Sequence, residues 1–265
     1  MLSPISSRDN DKIKQACRLR DNESARRQAG LFFAEGPKLC LEAAKSCRCA
    51  TLYGTRRALD HTPELGALDA VTVPVSDPVA DKLSSTKNSQ GVYGLFVLPV
   101  PDPATLGTAR RILALERVQD PGNVGTLIRS AAAFGFDAVL LGPGCAAPYA
   151  PRTLRASMGA AVRMPVLETD DLPAALTELR GRGVTCLAAA LRHAVSLDAV
   201  GRSFPRGLCV VIGSEGQGLT DAAIDACDRA VRIPMAALAE SLNAAVAGSV
   251  LLWHFRGLPA ADGTV

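Results

Sequence analysis

Short apolar runs at Arg111–Leu115, Ala138–Leu141, Val184–Ala189 and Leu208–Ile212 recur through the second half of this 265-residue chain, separated by glycine-containing loops and helical patterns. Runs without polar alternation are strands covered on both faces, and strands that alternate with helices make a mostly parallel α/β sheet. Upstream of them lies Pro99-Val100-Pro101-Asp102-Pro103. Its prolines remove backbone donors and hold the chain extended, which suits a linker and neither a central strand nor a helix interior. The expected division is an N-terminal domain at 1–98, a linker at 99–105 and a C-terminal α/β domain at 106–265.

The N-terminal part reads as a smaller α+β unit. Between Arg8 and Gln28, basic residues Arg8, Lys12, Lys14, Arg18, Arg20, Arg26 and Arg27 recur around Ile13, Ala16, Cys17 and Leu19 with a helical rhythm. Leu31–Ala34 reads as a strand, and Gly36-Pro37 opens a helix carrying Leu39, Leu41 and Ala43. Apolar runs at Ala50–Tyr53 and Val71–Val75, a helix near Pro78–Leu83 and a strand at Gly91–Val97 complete the unit.

Composition excludes several classes. Lys and Arg number 29 against 26 Asp and Glu, a net charge of +3, so any nucleic-acid surface is a local patch and not a global polycation. The longest apolar stretches, such as Ala244–Phe255, fall short of the ~20 residues that span a bilayer. No basic segment followed by an apolar one opens the chain, so the eight cysteines are expected to be free thiols in a reducing cytoplasm. Cys47-x-Cys49 has no second pair or nearby histidine to complete a zinc spacing, and no metal is expected.

Three motifs carry the chemistry. In Glu116-Arg117-Val118-Gln119-Asp120-Pro121-Gly122-Asn123-Val124-Gly125-Thr126-Leu127-Ile128-Arg129-Ser130, a strand passes through a loop into a helix. Free N–H groups at such a helix start and the fork of Arg129 could hold a phosphate, although a turn with a surface arginine reads equally well. Val210-Val211-Ile212-Gly213-Ser214-Glu215-Gly216-Gln217-Gly218-Leu219 is a buried strand ending in a glycine-rich loop. Its spacing fits neither a dinucleotide fingerprint nor a hydrolase elbow, where Ile212 would have to be glycine. The third runs Val231-Arg232-Ile233-Pro234-Met235, then a loop, then Glu240-Ser241-Leu242-Asn243-Ala244-Ala245 into a helix of small residues, with Ser241 a natural N-cap.

In this order and at these separations, the motifs resemble the SpoU (TrmH-like) branch of the SPOUT methyltransferases, over roughly residues 110 to 255. Pro148–Ala160 looks like the ribosomal-RNA-modifying members, and Ile5–Gly36 resembles their substrate-binding domain. The resemblance implies an α/β domain closed by a deep trefoil knot, and transfer of a methyl group from S-adenosylmethionine to an RNA ribose 2'-hydroxyl. Large-subunit ribosomal RNA is favoured over transfer RNA, with pairing of two chains through the knotted domains.

By the same likeness, the main chain at Gly213, Ile233 and Met235 and near Leu242 cradles the cofactor. Asn123, Arg129, Glu215, Ser241 and Asn243 form the active site. The small-residue face Ala244, Ala247, Gly248 and Leu251 would serve the dimer. Arg8, Lys12, Arg18, Arg20, Arg26 and Arg129 would meet RNA. The chain departs from the pattern at Ala236-Ala237 and Ala244-Ala245, small-for-small changes, and His61, His193 and His254 match no motif. A different class, a non-catalytic RNA-binding or ribosome-assembly protein on the same fold, is the alternative.

Overall fold

The computed structural model describes residues 3–236 and 241–256. Elements are numbered along the chain, and they gather into two compact units. One runs up to Val100 and also takes in Ala147–Arg163, and the other holds Pro101–Ala146 and the chain from Met164 onward.

The first unit contains α1 (Asp11–Asp21), α2 (Glu23–Ala29), β1 (Leu31–Glu35), α3 (Pro37–Ala44), β2 (Cys49–Gly54), α4 (Arg56–Asp60), β3 (Val71–Pro74), α5 (Asp77–Leu83) and β4 (Val92–Val97). The single basic helical rhythm is two helices, broken at Asn22, whose extended backbone ends α1 and whose side chain accepts from Ala25 N to start α2. The sheet order is β1-β4-β2-β3, with β4 antiparallel to both neighbours and β2 parallel to β3. Ile13, Ala16 and Leu19 of α1 and Val79 and Leu83 of α5 share a core with Phe33 and Tyr93.

Two expectations change here. The first is the place of residues 147–163, which the sequence pattern assigned to the C-terminal domain. They carry α8 (Pro151–Ser157) and α9 (Ala160–Arg163) and pack with the first unit. Tyr149 stacks on Phe32 with centroids 5.9 Å apart, and Arg163 pairs with Glu42. Arg155 reaches Glu35 at 3.5 Å and Ser85 Oγ at 2.7 Å. Glu35 is a buried carboxylate at the end of β1. Burial pushes its proton affinity up, but hydrogen bonds from Ser84, Ser85 and Thr86 outweigh this and hold it below the usual carboxylate range.

The second change concerns the basic stretch. Arg26 is 5% exposed, and its Nη1 donates to Leu19 O at 2.9 Å and Arg20 O at 3.0 Å. Arg20 donates through Nη1 to Lys82 O, Leu83 O and Ser84 O, and pairs with Asp21 at 2.7 Å. The last carbonyls of a helix lack intrahelical partners, and these two guanidiniums satisfy those of α1 and α5. Arg20 and Arg26 are therefore helix-end clamps, not open phosphate contacts. Lys12, Lys14 and Arg18 are exposed and make no side-chain hydrogen bond or ion pair among the described residues. Arg8, also exposed, donates through Nε to Pro78 O at 3.0 Å.

The second unit contains α6 (Thr105–Thr108), β5 (Arg111–Leu115), α7 (Pro121–Ala133), β6 (Ala138–Leu141), β7 (Val166–Glu168), α10 (Leu172–Gly181), β8 (Thr185–Ala189), β9 (Val195–Ser196), β10 (Leu208–Ile212), α11 (Asp221–Asp225), β11 (Arg229–Arg232) and α12 (Ala244–His254). The sheet order is β7-β6-β5-β10-β8-β11-β9, and every neighbouring pair is parallel. Parallel register brings the carboxyl ends of β5, β10 and β11 to one edge, and each of the three motifs leaves the sheet there. In open α/β sheets this edge is where ligands bind.

Candidate active site

Each motif is positioned by a local device. Asp120 caps α7, accepting from Asn123 N at 3.0 Å, with Pro121 in the first turn, where its missing donor costs nothing. This sets Asn123 in the first turn of α7. Asn243 caps α12, its Oδ1 accepting from Ala245 N at 2.9 Å and Val246 N at 3.2 Å. The cap expected at Ser241 thus falls two residues later, while Ser241 is exposed just before the helix. The reason is the second half of the Asn243 amide, whose Nδ2 donates to Glu215 Oε1 and to Asn123 Oδ1 at 3.2 Å. A hydroxyl has a single donor on the same atom that accepts, whereas the amide offers two donors on Nδ2 while Oδ1 caps the helix.

Glu215 is the common point. Its Oε1 also accepts from Asn123 Nδ2 at 2.7 Å and from Ala244 N at 3.2 Å. One carboxylate oxygen therefore ties the starts of α7 and α12 to the loop after β10, and the free N–H groups of a helix start favour its charge. On the other side of the loop, buried Glu116 accepts from Thr220 N and Thr220 Oγ1, each at 2.8 Å. Glu116 has no assigned role among the motif residues, and its place directly after β5 is the sequence signal that marks it.

Gly213 ends up in a tighter place than a ligand cradle alone requires. A Cβ there would lie 2.3 Å from Gly218 C and 2.4 Å from Leu219 N, because the loop folds back through a Ser214–Gly218 bridge. Ile233 and Met235 are half-buried just past β11, and Leu242 is 36% exposed. Apolar side chains and main chain at a sheet edge suit a flat, largely neutral group such as an adenosine. Ala237 and Glu240 lie outside the described residues.

Arg129 stands apart from the Asn123–Glu215–Asn243 cluster. It is exposed on α7, six residues beyond Asn123 and so about 9 Å farther along the axis on another stripe. Its guanidinium has no hydrogen bond or ion pair among the described residues. Burial pushes the thiol of Cys145, whose Sγ lies 3.4 Å from Leu115 O, up to about 11.

The small-residue face of α12 is also relocated. Ala244, Ala245, Gly248 and Leu251 are buried within the unit, and a Cβ on Gly248 would lie 2.3 Å from Leu127 Cδ2 of α7. The small residues let α12 approach α7, where Ser130 and Ser249 share a hydrogen bond of 2.8 Å. The face left open is Val246, Val250 and Trp253, which are 49%, 37% and 51% exposed.

Residues 110–253 match the SpoU rRNA Methylase family, and residues 10–94 match the MRM3-like substrate binding domain. This chain belongs to the SpoU rRNA methylase family. It is 31% identical to the 23S rRNA (guanosine(2553)-2'-O)-methyltransferase RlmP of Bacillus subtilis (strain 168), over 97% of this chain and 100% of that protein. It is 33% identical to the uncharacterized tRNA/rRNA methyltransferase slr1673 of Synechocystis sp., over 96% of this chain and 94% of that one. The AdoMet-bound rRNA methyltransferase of Sinorhizobium meliloti superposes with a TM-score of 0.82 at 26% identity, covering 96% of this chain and 97% of the other. The segments that carry Asn123, Glu215 and Asn243 all lie within the matched residues 110–253 and are drawn together at the carboxyl edge of the sheet. No helix among the described residues is long and apolar enough to cross a membrane.

Proposed function

We propose that this member of the SpoU family transfers a methyl group from S-adenosylmethionine to a ribose 2'-hydroxyl of ribosomal RNA, with the large subunit as its source. The observation that carries the reading is the convergence of Asn123, Asn243 and Ala244 N on Glu215 Oε1, which joins the three motif segments at one sheet edge. The full-length likeness to a 23S rRNA 2'-O-methyltransferase supports the substrate class. Mapping 2'-O-methyl sites on total RNA from cells with and without the gene tests it. One ribosomal position is expected to disappear, and an unchanged map would overturn the assignment.

When bound, the cofactor supplies a methyl carbon activated on a sulfonium, and the protein's task is to orient the attacking hydroxyl and manage its charge. Gly213, Ile233, Met235 and Leu242 hold the cofactor at the carboxyl ends of β10 and β11. Arg129, free among the described residues, grips a substrate phosphate and stabilises the oxyanion that develops as the hydroxyl attacks. It does not serve as a base, since a guanidinium keeps its proton near neutrality. Substrate phosphate or solvent takes that proton. Asn123, Glu215 and Asn243 fix the loops, and Ser241 lies exposed just before α12. The trefoil knot expected of the C-terminal segments belongs to the same reading, as does a cytoplasmic location, which eight unpaired cysteines support.

RNA affinity resides in the first unit, supported by its match to a substrate-binding domain and by the open side chains of Lys12, Lys14 and Arg18. Reversing these three to Glu is expected to weaken binding of a structured ribosomal RNA fragment and to flatten its salt dependence, because each phosphate contact adds to that slope. Cofactor affinity should stay unchanged. Isotherms at several salt concentrations check this, and an unaltered slope would refute it.

The enzyme acts as a homodimer. The groove of about 460 Å³ lined by Thr126, Val246, Ser249, Val250 and Trp253 supports this, since its exposed apolar side chains recur at helical spacing on α12. Light scattering is expected to give twice the protomer mass for the wild type and the protomer mass for Trp253→Glu. A monomeric wild type would contradict the proposal.

A further inference from the structure

Arg117, between β5 and α7, adopts a left-handed backbone with φ 56°. Glycine and asparagine enter this region readily, whereas a long L side chain is strained there, and such strain is a reason to look for a function. Three features fix the geometry. Arg117 N donates to Pro143 O at 3.0 Å. A Cβ added to Gly144 would come within 3.3 Å of Arg117 Cγ, so the side-chain stem lies along bare backbone. Arg117 Nη1 donates to Gln217 Oε1 of the glycine-rich loop at 3.2 Å.

The guanidinium opens onto a cleft of about 360 Å³ whose lining includes Gln119, Asp120, Asn123, Glu215 and Gln217, and Arg117 is the sole basic residue in that lining. Both carboxylates there already have work. Asp120 Oδ1 caps α7, and Glu215 Oε1 takes donors from Asn123, Asn243 and Ala244. Arg117, by contrast, gives a single bond to a neutral amide. A guanidinium presents a planar fork of five donors, and a phosphodiester binds it bidentately with charge assistance, which a neutral amide oxygen cannot match.

We propose that Arg117 is a phosphodiester-binding subsite at the mouth of this cleft, gripping the RNA backbone beside the nucleotide that is methylated. The subsite is separate from Arg129, which stands farther along α7. The inference rests on the RNA-methyltransferase reading above, and its test separates the two.

The experiment uses the full-length protein and a structured ribosomal RNA fragment, with binding isotherms at several salt concentrations alongside methylation kinetics. Arg117→Gly removes the guanidinium and relieves the backbone, so its melting temperature should equal or exceed that of the wild type. Its affinity for S-adenosylmethionine and its kcat should stay within about twofold. Its KM and Kd for RNA should rise about tenfold, and its salt slope should fall by about one phosphate contact. Gln217→Ala, which removes only the latch, should bind RNA like the wild type. Arg117→Asn, also at ease in the left-handed region, serves should the glycine variant fold poorly. Unchanged RNA affinity and salt slope in Arg117→Gly would overturn the proposal, as would a Gln217→Ala variant equally impaired, since Arg117 would then be a loop clasp. A wild type that binds RNA through Arg117 yet methylates none would sink the parent reading and leave the subsite standing. A wild type that binds no RNA would sink both.

Discussion

An Arg129→Lys protein is expected to bind S-adenosylmethionine as the wild type does and to turn over at least about a hundredfold more slowly, in the range found for loss of one preorganised donor. The charge survives this change but the planar fork does not. Because Arg129 is exposed on α7 and has no partner among the described residues, the substitution disturbs no hydrogen bond of the fold. Lost turnover would therefore report on the substrate side of the reaction. Single-turnover methylation together with calorimetry separates the two quantities. Near-normal turnover would mean that Arg129 acts as a point charge or takes no part.

Gly213→Ala should be more damaging still, and for a different reason. The new methyl would meet Gly218 C, Leu219 N and Gly218 O within 2.6 Å, and main chain cannot rotate away as a side chain can. The loop must shift, carrying Glu215 away from Asn123 and Asn243. We expect a loss of stability of about 1–3 kcal/mol, as for overpacking of a core, with methylation abolished and cofactor affinity reduced more than about tenfold. Gly216→Ala is the control, because nothing lies within 4 Å of a Cβ there. Denaturant unfolding and calorimetry on both variants decide the point. A Gly213→Ala protein with wild-type cofactor affinity would remove Gly213 from the binding site.

The parallel sheet is legible from sequence where strands carry an uninterrupted buried apolar run of four or five residues, as in β5, β6 and β10. Strand β9, at Val195–Ser196, is too short to make a run, and β11 begins and ends on exposed arginines, so neither produces the apolar signal. The membership of residues 147–163 depends on contacts far apart in sequence, Phe32 with Tyr149 and Glu35 with Arg155, which no local periodicity encodes. In the basic stretch, Arg18 and Arg26 look alike as letters. What separates them is the end of α1, where Arg26 finds carbonyls and Arg18 finds water.

At the site, residue types and motif positions were readable, but their division of labour was not. Both Ser241 and Asn243 can cap a helix, and the choice falls to Asn243 because Glu215 claims its other amide atom. The small residues of α12 signal close packing without naming the partner, which is α7 of the same unit. Nothing in the letters of the first motif marks Arg117, whose distinction is a left-handed backbone angle.

The excursion of Ala147–Arg163 into the first unit bears on how such a protein can be dissected or recombined. The polypeptide crosses between the units at residue 100, again at 146 and again at 163, so a single cut in the proline-rich stretch does not part them. A fragment beginning near residue 104 would carry α8 and α9 with Thr153, Leu154 and Ala161, all 0% exposed in the whole chain, stripped of their cover. Grafting the RNA-selecting half of one relative onto the catalytic half of another therefore requires two exchanges made together: the N-terminal hundred residues and this inner loop.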